Sequence, residues 1–177
     1  MKKITAMSLL LTYMTLLPSM VHAESDSSYI NKVRKEIGRQ LVEVQSSNWP
    51  SVLPYYTNDI EYHDPIVTIN GISAMSNFLG RLFFSSPELV TKVEDETCIN
   101  GIYTATWEMT GYFGEVPYAA KGMSIIKFRP KQTQAYYQRD YYTEGDIMIN
   151  IPGLDEAING FRTFYKCSVD PTFVCPL

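Results

Sequence analysis

Metal-binding side chains are scarce in this chain. Its 177 residues include only two histidines and three cysteines. His22 lies close to the N-terminus, and no cysteine is near His63 in the sequence. Zinc sites in proteins usually combine Cys and His ligands at short, regular spacings. The sequence therefore predicts no metal site, and it predicts no cofactor.

Positive charge is also in short supply. The chain has 15 Lys and Arg residues against 19 Asp and Glu residues, which gives a formal net charge of −4. Residues 1–23 contain two lysines and no acidic residue, so without them the remaining 154 residues carry a net charge of −6. Proteins that bind nucleic acids need a basic surface that neutralises phosphates. The composition argues against a nucleic-acid partner.

Long apolar runs are absent after the N-terminus. Two lysines precede an uncharged segment from Ile4 to Leu17, and a Val-His-Ala sequence ending at Ala23 matches the pattern that signal peptidase cleaves. This segment is shorter than the ~20 residues of a membrane-spanning helix. We therefore expect a signal peptide at 1–23, a periplasmic or secreted location, and one domain at 24–177 without membrane contact. An uncleaved anchor is the alternative.

An oxidising compartment would allow one disulfide among the three cysteines. Cys167 and Cys175 are the first candidates, since their bond would link the proline-containing tail to the chain before it. The sequence leaves pairing of Cys98 with either of them open. One thiol stays free in each case.

Helical periodicity and turn residues divide the chain into helices first and strands later. We predict helices at 25–46, 49–56, 72–85 and 154–165, and strands at 60–64, 89–98, 102–112, 117–128 and 134–143. Asn100-Gly101 is a strong hairpin signal between two of the strands. The order predicts an α+β fold in which a curved antiparallel sheet packs against N-terminal helices and leaves a cavity.

The segment at 136–142 has the sequence Tyr-Tyr-Gln-Arg-Asp-Tyr-Tyr. In a strand, successive side chains point to opposite faces. One face then carries Tyr136, Gln138, Asp140 and Tyr142, and the other carries Tyr137, Arg139 and Tyr141. Asp140 therefore cannot pair with Arg139. On a concave apolar face its pKa would be perturbed, as is typical of acid–base catalysts.

The strand at 102–112 separates polar from apolar residues in the same way. Glu108 shares a face with three threonines, including Thr106, whereas Trp107 lies on the other face. Such a polar face could be a solvated outer surface or a cavity wall. If Glu108 and Asp140 share a cavity, one of their pKa values rises and an acid lies beside a base. Either carboxylate exposed to solvent on the outer face would exclude the enzyme predicted from this pair.

These motifs resemble the nuclear transport factor 2-like superfamily, and within it the SnoaL-like proteins and limonene epoxide hydrolase. The resemblance rests on Asp-Ile-Glu-Tyr-His-Asp-Pro at 59–65, on Gly71 before a helix, and on Arg-Asp-Tyr-Tyr at 139–142 before Ile-Pro at 151–152. It spans roughly residues 29–165. It implies a cone-shaped, cystatin-like fold with a curved sheet on N-terminal helices.

The resemblance also implies a set of site residues. Tyr62 and Asp140 match a tyrosine and an aspartate of the epoxide hydrolase site. Asp64 stands where those enzymes have an asparagine, and Glu108 stands where they have a second aspartate. Thr106 replaces the arginine that bridges their two acids, so the resemblance does not carry epoxide hydrolysis itself.

We therefore predict a pocket for a small, largely apolar molecule. As an enzyme, the protein would be a cofactor-independent isomerase, cyclase or hydrolase with Asp140 as base, Glu108 as partner acid and Tyr62 as hydrogen-bond donor. The predicted ligand-binding residues are Asp64, Thr106, Trp107, Gln138 and Tyr142. His63 faces away from Tyr62 by alternation, and we expect it to be structural.

The alternative is a non-catalytic module of the same fold that binds a ligand or a protein. Tyrosine combines an apolar body with a polar tip, so tyrosine-rich strands suit either a pocket or an interface. Sheet faces in the resembling superfamily often form dimers. The row of Tyr137 and Tyr141 with Trp107 could therefore face outward as a homodimer contact.

Overall fold

The computed structural model describes residues 17–170 and 172–175. Most of the predicted signal peptide, residues 1–16, lies outside these described residues. Within the described ranges, no helix combines the length and the apolar character that crossing a membrane requires.

The helices bracket the strands at both ends of the chain. They are α1 (Leu17–Val42), α2 (Trp49–Val52), α3 (Ile72–Ser85), α4 (Glu144–Met148) and α5 (Asp155–Val169), with a 3-10 turn at Leu53–Tyr55 after α2. The predicted first helix differs most, since α1 begins well before residue 25 and ends four residues before 46. Pro18 is compatible with this start, because proline is tolerated in the first helical turn. The short helix α4 was not predicted.

Six strands form one mixed sheet. They are β1 (Tyr56–His63), β2 (Thr68–Asn70), β3 (Val90–Ile99), β4 (Ile102–Phe113), β5 (Val116–Phe128) and β6 (Ala135–Tyr142), in the spatial order β2-β1-β6-β5-β4-β3. Strands β3 to β6 form the predicted antiparallel meander. Strand β1 adds to β6 in parallel, and the unpredicted β2 pairs with β1.

The turn between β3 and β4 matches the hairpin prediction. Asn100 and Gly101 have φ angles of 52° and 75°. A two-residue hairpin turn of the common type needs positive φ at both positions, and Asn and Gly are the residues that adopt it most readily. This turn sets the register of β3 on β4, which pairs Ile99 with Ile102.

The inner face of the sheet packs on the helices through one apolar core. Strand β4 contributes Tyr103 and Trp107 to this core, and α1 contributes Leu41. Helix α1 approaches β4 so closely at Gly38 that a Cβ atom there would lie only 2.4 Å from the Tyr103 ring. On β4 the apolar residues of the alternation therefore face the helices, and the polar residues face outward.

Candidate functional site

A cavity of about 740 Å³ lies between the inner sheet face and helices α1, α3 and α4. This volume falls in the range of pockets for small molecules. Most of the lining is apolar, including Leu41, Met75, Phe78, Leu82, Met109 and Ile147. Polar side chains are the exceptions, and they include Tyr62 on β1, Ser124 on β5, Gln138 and Asp140 on β6, and Asp64 and Glu144 outside the sheet.

Asp140 is the carboxylate at the centre of these polar side chains. Its Oδ1 accepts a hydrogen bond from Ser124 Oγ at 2.6 Å, and its Oδ2 accepts one from the Tyr62 hydroxyl at 3.0 Å. Gln138 Nε2 lies 3.3 Å from both oxygens. Residue Arg139 is exposed on the opposite face, as the alternation predicts.

Burial raises the pKa of Asp140 from 3.8 to about 6. The hydrogen bonds from Ser124, Gln138 and Tyr62 act in the opposite direction, because they stabilise the carboxylate. The nearby charge of Asp64 adds to the increase. The result is a carboxyl group that can both accept and return a proton near neutral pH.

Two neighbouring side chains fix the direction of the hydrogen bonds to Asp140. Trp107 Nε1 donates to Ser124 Oγ at 2.8 Å, and an indole N–H can only donate. The Ser124 hydroxyl proton is therefore free to point at Asp140. Similarly, the Tyr56 hydroxyl lies 2.7 Å from Gln138 Oε1, which leaves the amide NH₂ of Gln138 to face the carboxylate.

These contacts make the two oxygens of Asp140 unequal. Oδ1 is held by Ser124, whose hydroxyl is itself held by Trp107. Oδ2 is held by the Tyr62 hydroxyl through a longer hydrogen bond. Oδ2 is therefore the oxygen better placed to exchange a proton with a molecule in the cavity.

Tyr62 lies between two carboxylates. Its hydroxyl is 3.0 Å from Asp140 Oδ2 and 3.3 Å from Asp64 Oδ2. Burial, followed by the charge of Asp140, holds the pKa of Tyr62 well above its usual value, so the phenol stays protonated. A hydroxyl has one proton to donate. Tyr62 can therefore serve only one acceptor fully at a time.

Asp64 both holds a turn and lines the cavity. Its Oδ1 accepts hydrogen bonds from the backbone N–H groups of Ile66 and Val67, each at 2.7 Å. These bonds hold the turn that follows β1, which is a common role of aspartate. The same residue lines the cavity.

Six of the predicted site residues line this one cavity, namely Tyr62, Asp64, Trp107, Gln138, Asp140 and Tyr142. The other two, Thr106 and Glu108, are exposed on the outer face of the sheet. Glu108 lies opposite Lys92 and Lys121 on the neighbouring strands. The predicted convergence of Glu108 with Asp140 is therefore wrong, and the enzyme predicted from that carboxylate pair is excluded.

The placement predicted for two aromatic residues is also wrong, since Trp107 was expected to face outward and Tyr136 to share the face of Asp140. Trp107 is buried and lines the cavity, so it cannot join Tyr141 in an outer row. Tyr136 does not face the cavity with Asp140, because the pairing of β5 with β6 is irregular at this point. Lys127 pairs with Tyr137 and Phe128 pairs with Ala135, so the register passes over Tyr136. Ala135 is the buried residue there, and the Arg129 guanidinium lies 5.2 Å from the Tyr136 ring centre.

His63 lies outside the cavity lining, on the face opposite Tyr62. Its Nδ1 is 3.0 Å from Thr68 Oγ1, and its Nε2 is 2.6 Å from Glu61 Oε1. These contacts agree with the structural role expected from alternation. Within residues 17–170 and 172–175, no group of three or more His, Cys, Asp or Glu side chains is arranged to hold a metal ion.

Sequence reasoning missed several cavity residues. Ser124 is the serine in the buried row of β5, between positions such as Ala120 and Ile126. A single serine in such a row is a signal that could have been found. Glu144 also lines the cavity, but it belongs to α4, which the periodicity did not reveal.

The cysteines lie away from the cavity lining. Cys167 and Cys175 form a disulfide with a Cα–Cα distance of 5.6 Å, which joins the end of α5 to the tail. Cys98 is a free, half-buried thiol on β3, and burial raises its pKa.

The sequence matches the model of a known protein family. Residues 39–134 match the sequence model of the SnoaL-like domain. No functionally curated protein sequence matches the chain.

Solved structures with similar folds include a protein described as a SnoaL-like polyketide cyclase from Jannaschia sp. CCS1. It has a TM-score of 0.61 and 16% identity, over 70% of this chain and 94% of that one. An LEH-like epoxide hydrolase from M. tuberculosis has a TM-score of 0.60 and 13% identity, over 73% and 98%. An NTF2-like protein from Anabaena variabilis ATCC 29413 has a TM-score of 0.55 and 14% identity, over 69% and 92%. Similarity at these identities demonstrates a shared fold.

Proposed function

Because the chain belongs to the SnoaL-like domain family, we propose that its cavity takes a small, largely apolar molecule and transforms it by cofactor-independent acid–base chemistry. The observation that carries this proposal is Asp140, a carboxyl group in an apolar cavity whose pKa is raised to about 6 by burial. Isomerisation, cyclisation and hydrolysis all use such a group. The names of two structural neighbours, a polyketide cyclase and an epoxide hydrolase, belong to the same range of chemistry.

In the proposed mechanism Asp140 acts at Oδ2. At neutral pH the ionised carboxylate removes a proton from a carbon atom of the bound molecule or from a water molecule. Tyr62 shifts its hydrogen bond from the carboxylate to the substrate oxygen on which negative charge develops. The protonated Asp140 then returns the proton at the end of the reaction. Ser124 and Gln138 keep the carboxylate oriented throughout.

A nitrobenzisoxazole provides a test that does not depend on the natural substrate. This apolar aromatic compound opens its ring when a base removes a proton from carbon. We expect the mature chain to accelerate ring opening, with a rate that falls as the pH decreases through about 6, because protonation removes the base.

Variants separate Asp140 from general effects of the protein surface. The substitution Asp140→Asn should reduce the rate by at least about 100-fold, as expected for loss of a general base. The matched control Glu108→Gln removes a charge from the outer face and should leave the rate unchanged. Equal rates for Asp140→Asn and the unmodified chain would contradict a catalytic role for Asp140.

A non-catalytic binding module is the second candidate, and two observations favour it. The expected partner acid Glu108 is outside the cavity, and Asp64 is already engaged by two backbone N–H groups. A binding module would be stabilised by apolar ligands in thermal unfolding, and Asp140→Asn would retain that stabilisation. Ligand-induced stabilisation without any ring-opening activity would favour this candidate.

Export is part of the same proposal. The N-terminal sequence has the features of a cleavable signal peptide. The disulfide between Cys167 and Cys175 supports an oxidising destination, since structural disulfides are rare in the cytosol. We propose that the mature protein resides in the periplasm or outside the cell.

A further inference from the structure

Charge is distributed unevenly around the cavity. The carboxylates of Asp64, Asp140 and Glu144 line it, whereas no Lys, Arg or His is found among the described lining residues. None of the three carboxylates forms an ion pair within the described ranges. Cationic side chains therefore do not balance the acidic charge of this cavity.

Glu144 is the least engaged of the three acids. Asp140 accepts hydrogen bonds from three side chains, and Asp64 accepts them from two backbone N–H groups and from Tyr62. The side chain of Glu144 makes no hydrogen bond or ion pair with any residue that the structure describes. Its carboxylate is therefore free to pair with a group on a bound molecule.

The apolar surroundings strengthen the effect of these charges. Electrostatic interactions are stronger in an apolar environment than in water, and an anion brought beside unpaired carboxylates is repelled. A cation is attracted under the same conditions. The charge pattern therefore disfavours carboxylate or phosphate ligands and favours a positively charged group.

Aromatic rings in the cavity lining also favour a positively charged ligand. Trp107 and Tyr142 have ring centres 6.2 Å apart, and Tyr62 and Phe78 have ring centres 5.2 Å apart. All four residues line the cavity. The faces of aromatic rings attract ammonium groups, and the attraction increases when water is excluded.

We propose that the molecule taken by this cavity carries a protonated amine on an apolar body, and that carboxylates of the same shape are rejected. The inference rests on the proposed binding of a small apolar molecule. It assigns the ammonium group to Glu144 and leaves Oδ2 of Asp140 available for proton transfer.

Calorimetric titration of the mature chain with three adamantane derivatives tests this proposal. Adamantanamine, adamantanol and adamantane carboxylate share one hydrocarbon cage and differ only in the charge of the attached group. We expect the amine to bind about tenfold more tightly than the alcohol, because charge attraction and ring contacts add to the shared apolar burial. We expect no measurable binding of the carboxylate.

Two variants identify the source of the preference. Glu144→Gln should reduce the affinity for the amine towards that for the alcohol and leave the affinity for the alcohol unchanged. The matched control Glu108→Gln removes the same charge from the outer face and should alter neither affinity.

The possible failures are distinguishable. Equal affinities for amine and alcohol, or measurable binding of the carboxylate, would overturn the charge preference while leaving the apolar-ligand function standing. Retention of the full amine preference in Glu144→Gln would overturn the assignment of that residue. Binding of none of the three compounds would overturn the proposed apolar-ligand function, and this inference with it.

Discussion

Asp140 binds its proton more tightly in the folded chain than in the unfolded chain. Burial raises the pKa from 3.8 to about 6. Between about pH 4 and pH 6 the unfolded chain has lost this proton while the folded chain still holds it, so stability falls as the pH rises through this range. Above about pH 6 the ionised, buried carboxylate costs the fold about 2 to 3 kcal/mol.

This cost predicts an unusual effect of Asp140→Asn. The variant should be more stable than the unmodified chain by about 2 kcal/mol at pH 7.5, since the neutral amide avoids burying a charge. The difference should disappear near pH 4, where Asp140 is protonated in the folded chain. Urea unfolding at both pH values measures it, with Glu108→Gln as the exposed control. A variant that is less stable at pH 7.5 would contradict the burial of the charge.

The hydrogen bond from Ser124 to Asp140 provides a second prediction for a single residue. Its hydroxyl lowers the pKa of Asp140 by stabilising the carboxylate, so Ser124→Ala should raise that pKa further above 6, by about one unit. Trp107→Phe should act in the same direction but less strongly, because it only frees the Ser124 hydroxyl to turn away. An NMR titration of the Asp140 carboxyl carbon measures both shifts. An unchanged or lower value in Ser124→Ala would contradict the role of this hydrogen bond.

Strand pairing between β4 and β5 positions Trp107 over a glycine. Trp107 lies opposite Gly122, and a Cβ atom at Gly122 would come within 2.3 Å of the Trp107 ring and 2.5 Å of the Tyr141 carbonyl oxygen. The flat indole can occupy this place because Gly122 has no side chain. The register of these two strands thereby brings Trp107 Nε1 to Ser124.

Gly122→Ala should therefore disturb the site through the sheet. We expect a loss of about 1 to 3 kcal/mol in unfolding free energy, as for other overpacked positions, together with a changed near-ultraviolet signal from the displaced indole. Gly160→Ala is the matched control, because a Cβ atom in that α5 position meets nothing within 4 Å. It should be neutral or slightly stabilising. Similar losses in both variants would contradict the packing argument.

Strand pairs that are connected by a short turn could be predicted from the sequence, whereas pairs between distant parts of the chain could not. Asn100-Gly101 and the other turns gave the meander of β3 to β6, because hairpins connect neighbours in sequence. The parallel pairing of β1 with β6 has no local signal, since more than seventy residues separate the paired positions. Helix α4 is too short for its periodicity to be recognised.

The same distinction explains the outcome for the site. Alternation correctly placed Asp140 opposite Arg139 and Glu108 opposite Trp107. It could not tell which face of β4 is concave, because a row of threonines suits either a solvated surface or a polar cavity wall. The inner face is decided by the helices that pack on the sheet. Glu108 was therefore assigned to the wrong side, while Asp140 was assigned correctly.

At the scale of the whole molecule, an acidic cavity lies within a chain that is itself acidic. The described acids of the cavity have no basic partner in its lining, and the chain as a whole is acidic. The basic residues instead lie elsewhere, as with Lys121 beside Glu94 on the outer face. A ligand that reaches the cavity therefore meets negative charge both on approach and inside, which favours neutral and cationic molecules over anions.

Export and disulfide formation provide the last prediction, because both concern the whole chain. Full-length protein recovered from the periplasm or medium should begin at Glu24, as intact mass measurement would show. Alkylation without reduction should modify only Cys98, and alkylation after reduction should modify all three cysteines. The same chain produced in the cytosol without residues 1–23 is the control and should be alkylated at three positions directly. A recovered protein that retains Met1 would contradict cleavage, and three free thiols in the exported protein would contradict the disulfide.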